Sequence, residues 1–283
     1  MRKIILSAWV VMGTLVAQAA LVVDLSGNYN TSGANISFVK PTEITSGEAR
    51  IYDNDFGTAI VTTGAGSGAY VGPTMYAAAR HSVAGGPPDT FTTSGFRMQN
   101  DVFSVTPPGT LTGAATFDYV IVVKKADFAN GLNTGSIGFD STSSFAMTTT
   151  TYNANTKSLR AVVQNGSTWY ISQTQNTGNR ANGVPLTILT DAASALWAEW
   201  NPLASIDADT LDFSTTVPGS TFKDIQAVGI YSHQTKTATP PGTAFANTIS
   251  SIQIGAVAVP EPATVGMLGL GAVITLLLRR MRS

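Results

Sequence analysis

The chain repeats one pattern along most of its length: short runs rich in Val, Ile, Thr, Tyr and Phe, cut by clusters of Gly, Pro, Asn and Ser. Such runs suit the pleated surface of a sheet, and the polar clusters suit turns. Candidate strands lie at 21–25, 35–39, 49–52, 116–124, 135–140, 144–151, 158–164, 168–172, 185–190, 195–200, 225–233 and 249–254. The clearest unit joins 158–164 to 167–172 through Asn165-Gly166, the pair preferred in a two-residue type I′ hairpin turn. Helix is expected only as a turn or two at 125–130. Many short strands with polar turns predict an all-β fold, a single jelly-roll-like β-sandwich over residues 20–256. The pentapeptide Thr-Pro-Pro-Gly-Thr at 106–110 and 239–243 reads as recurring turn chemistry rather than a duplication.

Composition narrows the function classes. The 283 residues include no Cys, which removes disulfides, thiolate zinc sites and cysteine nucleophiles. A net charge of −1 shows no basic stripe, so nucleic acid is not an expected partner.

The two ends read as addresses. Arg2 and Lys3 precede an apolar run from Ile4 to Val16, and Ala17-Gln18-Ala19 places small residues where a signal peptidase reads them. Residues 1–19 are therefore expected to be a secretory signal peptide, cut after Ala19. At the other end, residues 263–278 form an uncharged apolar run followed by Arg279, Arg280 and Arg282 in a basic tail, 279–283. As a helix the run would extend roughly 24 Å, and arginines can snorkel across the shortfall to a ~30 Å hydrocarbon core. A C-terminal transmembrane helix with a cytoplasmic basic tail is expected, leaving the body outside. Between body and helix, 257–262 reads as a tether, because Pro260 and Pro262 around Glu261 cannot sit inside a helix.

Val259-Pro260-Glu261-Pro262, a short Gly-containing apolar helix and an Arg-rich tail, in that order, resemble the PEP-CTERM sorting signal of exported Gram-negative bacterial proteins. The resemblance implies processing near the motif by an exosortase, a transient stay in the inner membrane, and delivery to the cell surface or an extracellular polysaccharide matrix. Glu261 would then be a recognition residue read by that enzyme. A second resemblance covers the C-terminal half. The hairpin with Trp169 and Tyr170, the tryptophan strand at 196–200, the run 222–231 and a closing strand are similar to concanavalin-like β-sandwich bodies.

No set of residues converges on catalysis in the sequence. His81 and His233 stand far apart and outside any metal-binding spacing. No G-x-S-x-G elbow follows a strand. Glycoside hydrolysis needs two facing carboxyl groups, yet only four Glu occur: Glu43, Glu48, Glu199 and Glu261. Asp53-Asn54-Asp55, followed by Phe56-Gly57, and the run 207–212 with Asp207 and Asp209 are candidate calcium sites, although Asx residues cap turns equally well. Trp169 and Tyr170 are candidate sugar-stacking residues; as strand neighbours they point to opposite faces. Core packing is the competing role for both.

The expectation is an exported, exosortase-processed surface or matrix protein, non-enzymatic, with a structural or polysaccharide-binding role and no required cofactor, calcium apart. A secreted polysaccharide-active enzyme and a calcium-dependent adhesin-like module are the alternatives. Without the five basic residues of the two signals and Glu261, the body carries eleven basic and sixteen acidic residues, a net charge of −5. That suits neutral glycans or a bridging cation better than acidic polymers.

Overall fold

The computed structural model describes residues 19–24, 36–37, 43–46, 49–52, 56–57, 59–61, 74–81, 90–91, 96–100, 115–152, 156–177, 185–236, 245–260 and 278–280. Among them, strands pair antiparallel in two sheets, which makes the body a β-sandwich. The larger sheet runs Val217–Pro218, Leu196–Glu199, Thr168–Ser172, Thr156–Asn165, Ile225–Lys236, Ala115–Lys124, Met75–His81, Ala49–Tyr52 and Glu43–Ser46. The smaller runs Pro185–Leu189, Phe145–Tyr152, Phe245–Val259, Phe96–Asn100, Thr90–Phe91 and Ile36–Ser37. Phe245–Val259 also pairs with Ala20–Asp24 and Ser136–Gly138.

Burial explains why the central strands read as unbroken apolar runs rather than alternating ones. In Ala115–Lys124, Tyr119, Ile121 and Val123 point into the core between the sheets. Val120 and Val122 point the other way, yet are equally buried in a second cluster with Ala78, Val162, Ile171, Trp200, Ile206, Ala208, Tyr231 and Phe56. The segment from Trp200 to Phe213 supplies much of that second cluster and covers the outer face of the larger sheet. A sheet buried on both faces has no exposed row to fill with polar residues.

One position in this sheet admits only glycine. Gly229 lies opposite Val122 on one side and Val162 on the other. A Cβ there would run into the Ile121 carbonyl oxygen and come within 2.7 Å of Val122 Cγ1. Gly229→Ala is therefore expected to cost about 3 kcal/mol, as overpacking against fixed backbone does. Urea unfolding of the full chain checks this, and a loss within 0.5 kcal/mol, roughly the level of a surface substitution, would contradict it.

The 158–172 hairpin forms one residue away from its expected turn. Asn165 pairs with Thr168, so the two loop residues are Gly166 and Ser167. Gly166 has φ +58°, and Ser167 stays outside the left-handed region, the pattern of a type II′ turn. The Asn165 side chain has other work: its Oδ1 accepts from the backbone N–H groups of Lys223 (3.1 Å) and Asp224 (3.0 Å). The turn residue read from sequence is thus spent on tying the hairpin to the start of the next long strand.

The closing strand is longer than 249–254. It continues to Val259, with Val257, Ala258 and Val259 opposite Gly138, Ile137 and Ser136. The first three residues assigned to the tether are therefore sheet, because their alternating small and branched side chains extend the ladder. Short strands at Glu43–Ser46, Ala59–Val61 and Phe96–Asn100 were not anticipated, nor was Met75–His81, whose alanine-rich run carries weak strand preference. His81 ends that strand opposite Phe117. At the start, Ala19 donates its N–H to Thr142 Oγ1 (2.9 Å), and the strand Ala20–Asp24 follows at once. Ala17 lies outside the described residues, as does almost all of the expected span at 263–278. Among the described residues no helix is long and apolar enough to cross a membrane.

Candidate functional site

The outer face of the larger sheet places polar side chains from three neighbouring strands in two rows. Register aligns Asp118, His233 and Ser158 in one row, and Val120, Tyr231 and Arg160 in the next. Asp118 is fully buried, an uncommon setting for a carboxylate, and it is held by two donors. Its Oδ1 accepts from Tyr231 Oη at 2.6 Å and lies 2.6 Å from His233 Nδ1. Its Oδ2 has no hydrogen-bond partner.

The covering segment is pinned directly above these groups. Tyr231 Oη accepts from the Ala208 N–H (3.2 Å) while donating to Asp118, so one buried hydroxyl links sheet and cover. Trp200 Nε1 donates to the Ser205 carbonyl (3.0 Å) and fixes the start of the segment. Asp207 and Asp209 flank Ala208 and are carried over His233 as a result. Asp209 Oδ2 lies 3.3 Å from His233 Nε2, and Thr235 Oγ1 lies 3.0 Å from the same nitrogen. Asp207 Oδ1 accepts from the Asp209 N–H (3.0 Å), which keeps the pair in a tight turn. Donor atoms of Asp118, Asp207 and His233 all lie within 4.8 Å of one another.

Arg160 closes the other side. Its Nη1 donates to the carbonyls of Ser172 (2.9 Å) and Gln173 (2.6 Å), and Nη2 to Gln175 Oε1 (2.9 Å). The guanidinium stands 4.7 Å from the Phe213 ring centre, with Nε 4.0 Å from Asp209 Oδ1. Burial lowers its pKa, opposed by the charge of Asp209. For His233, burial works against the imidazolium, but the hydrogen bond and charge of Asp118, with Asp209 and Asp207 beyond, win and raise its pKa. Burial and the adjacent Asp118 carboxylate push the Tyr231 phenol well above its usual value, so it stays a neutral donor.

Sequence reading pointed to Asp207 and Asp209 as oxygen donors or turn caps; the fold brings them to His233 and Asp118. Asp118 was missed. Its signal is a charged residue inside Thr-Phe-Asp-Tyr-Val-Ile-Val-Val, where only a satisfied or ligand-bound carboxylate is tolerable. Asp53, Asn54 and Asp55 lie outside the described residues. Trp169 and Tyr170 do face opposite ways. Trp169 packs in the outer cluster, 4.8 Å from the Phe56 ring, and Tyr170 packs 4.8 Å from Phe222 at the inner core.

A separate open groove of about 410 Å³ lies where the two sheets meet at Pro185–Leu189. Gln173, Thr174, Thr187, Thr190, Asp191 and Ser194 line it, together with Ile188, Leu189 and Leu196. Asp191 is committed locally: the N–H groups of Ser194 and Ala193 bond its carboxylate and lower its pKa.

The sorting residues fall at the end of the closing strand. Val259 is paired, Pro260 is exposed just beyond it, and Arg279 and Arg280 are exposed in a short helical turn. Glu261, Pro262 and Arg282 lie outside the described residues.

Residues 258–282 match the model of the PEP-CTERM protein-sorting motif, so the chain carries that motif. The motif implies export and exosortase processing at the membrane. No curated protein matches the chain. A solved structure titled "Solution structure, dynamics and binding studies of CtCBM11" is similar at 9% identity, over 88% of this chain and 100% of that one, with a TM-score of 0.27. A likeness that distant carries no argument about function.

Proposed function

We propose that the chain is a non-catalytic β-sandwich delivered by exosortase processing to the cell surface or extracellular matrix, where it serves a structural or polysaccharide-binding role. The observation that carries this reading is the sorting motif at 258–282, directly continuous with a strand of the folded body. Only Pro260, Glu261 and Pro262 separate Val259 from the apolar run, a reach of about 10 Å at full extension. Processing there releases the sandwich with almost no appended chain.

The groove at the sheet junction supports a neutral, hydroxyl-rich ligand. Its lining mixes amide and hydroxyl groups with aliphatic surface, and its one carboxylate is already bonded to backbone. Asp118, His233 and Thr235 stand in the order of a carboxylate–imidazole–hydroxyl relay, which would favour an enzyme. Asp209 weighs against that: a second carboxylate 3.3 Å from His233 Nε2 would repel the oxyanion that acyl transfer builds up.

The full chain should be retarded in native gels containing a neutral polysaccharide, across a panel of such polymers. Gln173→Ala with Thr187→Ala should restore its mobility, since both side chains are exposed and neither supports the core. Unchanged mobility across the panel would remove the glycan-binding role. Hydrolysis of any member would remove the non-catalytic one.

A further inference from the structure

We propose that the groove at the sheet junction recognises an acetyl group on a neutral glycan, with Gln173 Nε2 donating to its carbonyl oxygen and Leu196 covering its methyl. This rests on the polysaccharide-binding reading and names the substituent that the groove selects. An O-acetyl ester and an N-acetyl amide present the same carbonyl and methyl.

The fold sets these two side chains next to each other. The Gln173 N–H donates to the Leu196 carbonyl at 2.8 Å, continuing the ladder that pairs Ser172 with Trp197, so Gln173 stands opposite Leu196. Residues opposite each other on antiparallel strands hold their side chains on one face, about 5 Å apart at Cβ. One side chain ends in an amide donor and the other in methyl groups. An acetyl group carries its oxygen and its methyl on one carbon, so a donor and an apolar surface must stand side by side to hold both. An exposed leucine is ordinary by itself. This one is 43% exposed on the lining of a groove of about 410 Å³, with the exposed hydroxyls of Thr174, Thr187 and Thr190 around it.

The backbone beneath the two side chains is fixed. The Gln173 carbonyl accepts from buried Arg160 Nη1 at 2.6 Å. Asn176 Nδ2 donates to the Thr187 carbonyl at 2.7 Å and ties the two sheets together along the groove. A ligand therefore orders side chains rather than strands, which keeps the cost of binding low. A free sugar hydroxyl in the same place supplies neither the carbonyl acceptor for Gln173 nor the methyl for Leu196, and it leaves a polar group against the leucine.

The full chain is run in native gels containing acetylated glucomannan or the same polymer after alkaline deacetylation. It is also titrated calorimetrically with oligomers of N-acetylglucosamine or of glucose. The acetylated member of at least one pair should bind about tenfold more tightly, as one buried methyl with one neutral hydrogen bond gives. Preference in the first pair alone assigns an ester, and in the second alone an amide. Leu196→Thr keeps strand preference at an exposed position. It should weaken binding of the acetylated ligand about fourfold without lowering the melting temperature. Equal binding within both pairs, or tighter binding of the unacetylated members, would overturn the acetyl assignment and leave the polysaccharide-binding role standing. An acetyl preference undiminished in Leu196→Thr would overturn it as well. No binding of these ligands or of any neutral polymer would remove the binding role and the assignment together.

Discussion

Replacing Trp197 with alanine should destabilise the protein by about 4 kcal/mol, near the upper end for a single core truncation. The indole is fully buried and stands among three aromatic rings: Phe139 stacked at 5.7 Å and 16°, Phe145 at 5.9 Å, and Phe222 at 5.6 Å. Its Nε1 donates to the Ala192 carbonyl at 3.2 Å, so truncation also leaves a buried carbonyl without its donor. The surroundings cannot collapse into the space. Gly219 already packs flush on the indole, where a Cβ would sit 2.6 Å from Nε1, and its backbone is held by the Ala195 carbonyl at 3.0 Å. In urea, the midpoint should fall while the slope stays constant, since the fold and its buried area persist. A loss below about 1.5 kcal/mol would mean the inner core does not centre on this residue.

The second large effect is expected at Asp118. Removing its carboxylate in Asp118→Ala strips the acceptor from Tyr231 Oη and the partner from His233 Nδ1 in one step. Tyr231 is the link to Ala208, so the covering segment loses its anchor as well. Breaking a buried, hydrogen-bonded charge cluster by removing one member costs about 3 kcal/mol or more. Asp118→Asn keeps an acceptor oxygen for Tyr231 and should cost about half as much. Both values are read by urea unfolding in EDTA. Equal losses for the two variants would show that charge, rather than the tyrosine hydrogen bond, holds the segment down.

The strands were legible because β-branched and aromatic runs declare themselves wherever they occur. Each of the twelve runs that sequence proposed contains or overlaps a strand, including 116–124 and 225–233. Their ends were less legible, since the ladder is extended by partners distant in sequence: Val257–Val259 is strand only because Ser136–Gly138 lies alongside. The Asn165 turn was displaced for the same reason, a tertiary contact with Lys223 and Asp224 outweighing a local preference. The C-terminal motif was fully legible, because a sorting signal must be read linearly by another enzyme. The Asp118–His233 cluster was not. Its members are up to 115 residues apart, and only the register between Ala115–Lys124 and Ile225–Lys236 places them side by side. Asp207 and Asp209 could be picked out as oxygen donors, but nothing in their neighbourhood named the histidine they would meet.

Sorting through the C-terminal motif is the centre of this account, and mass spectrometry of the mature C-terminus tests it most directly. The full chain is expressed in a host with an active exosortase and recovered from the surface and extracellular fractions. The account predicts a chain that ends near Pro260–Pro262 and lacks residues 263–283. A recovered chain that is intact through Ser283 would contradict it.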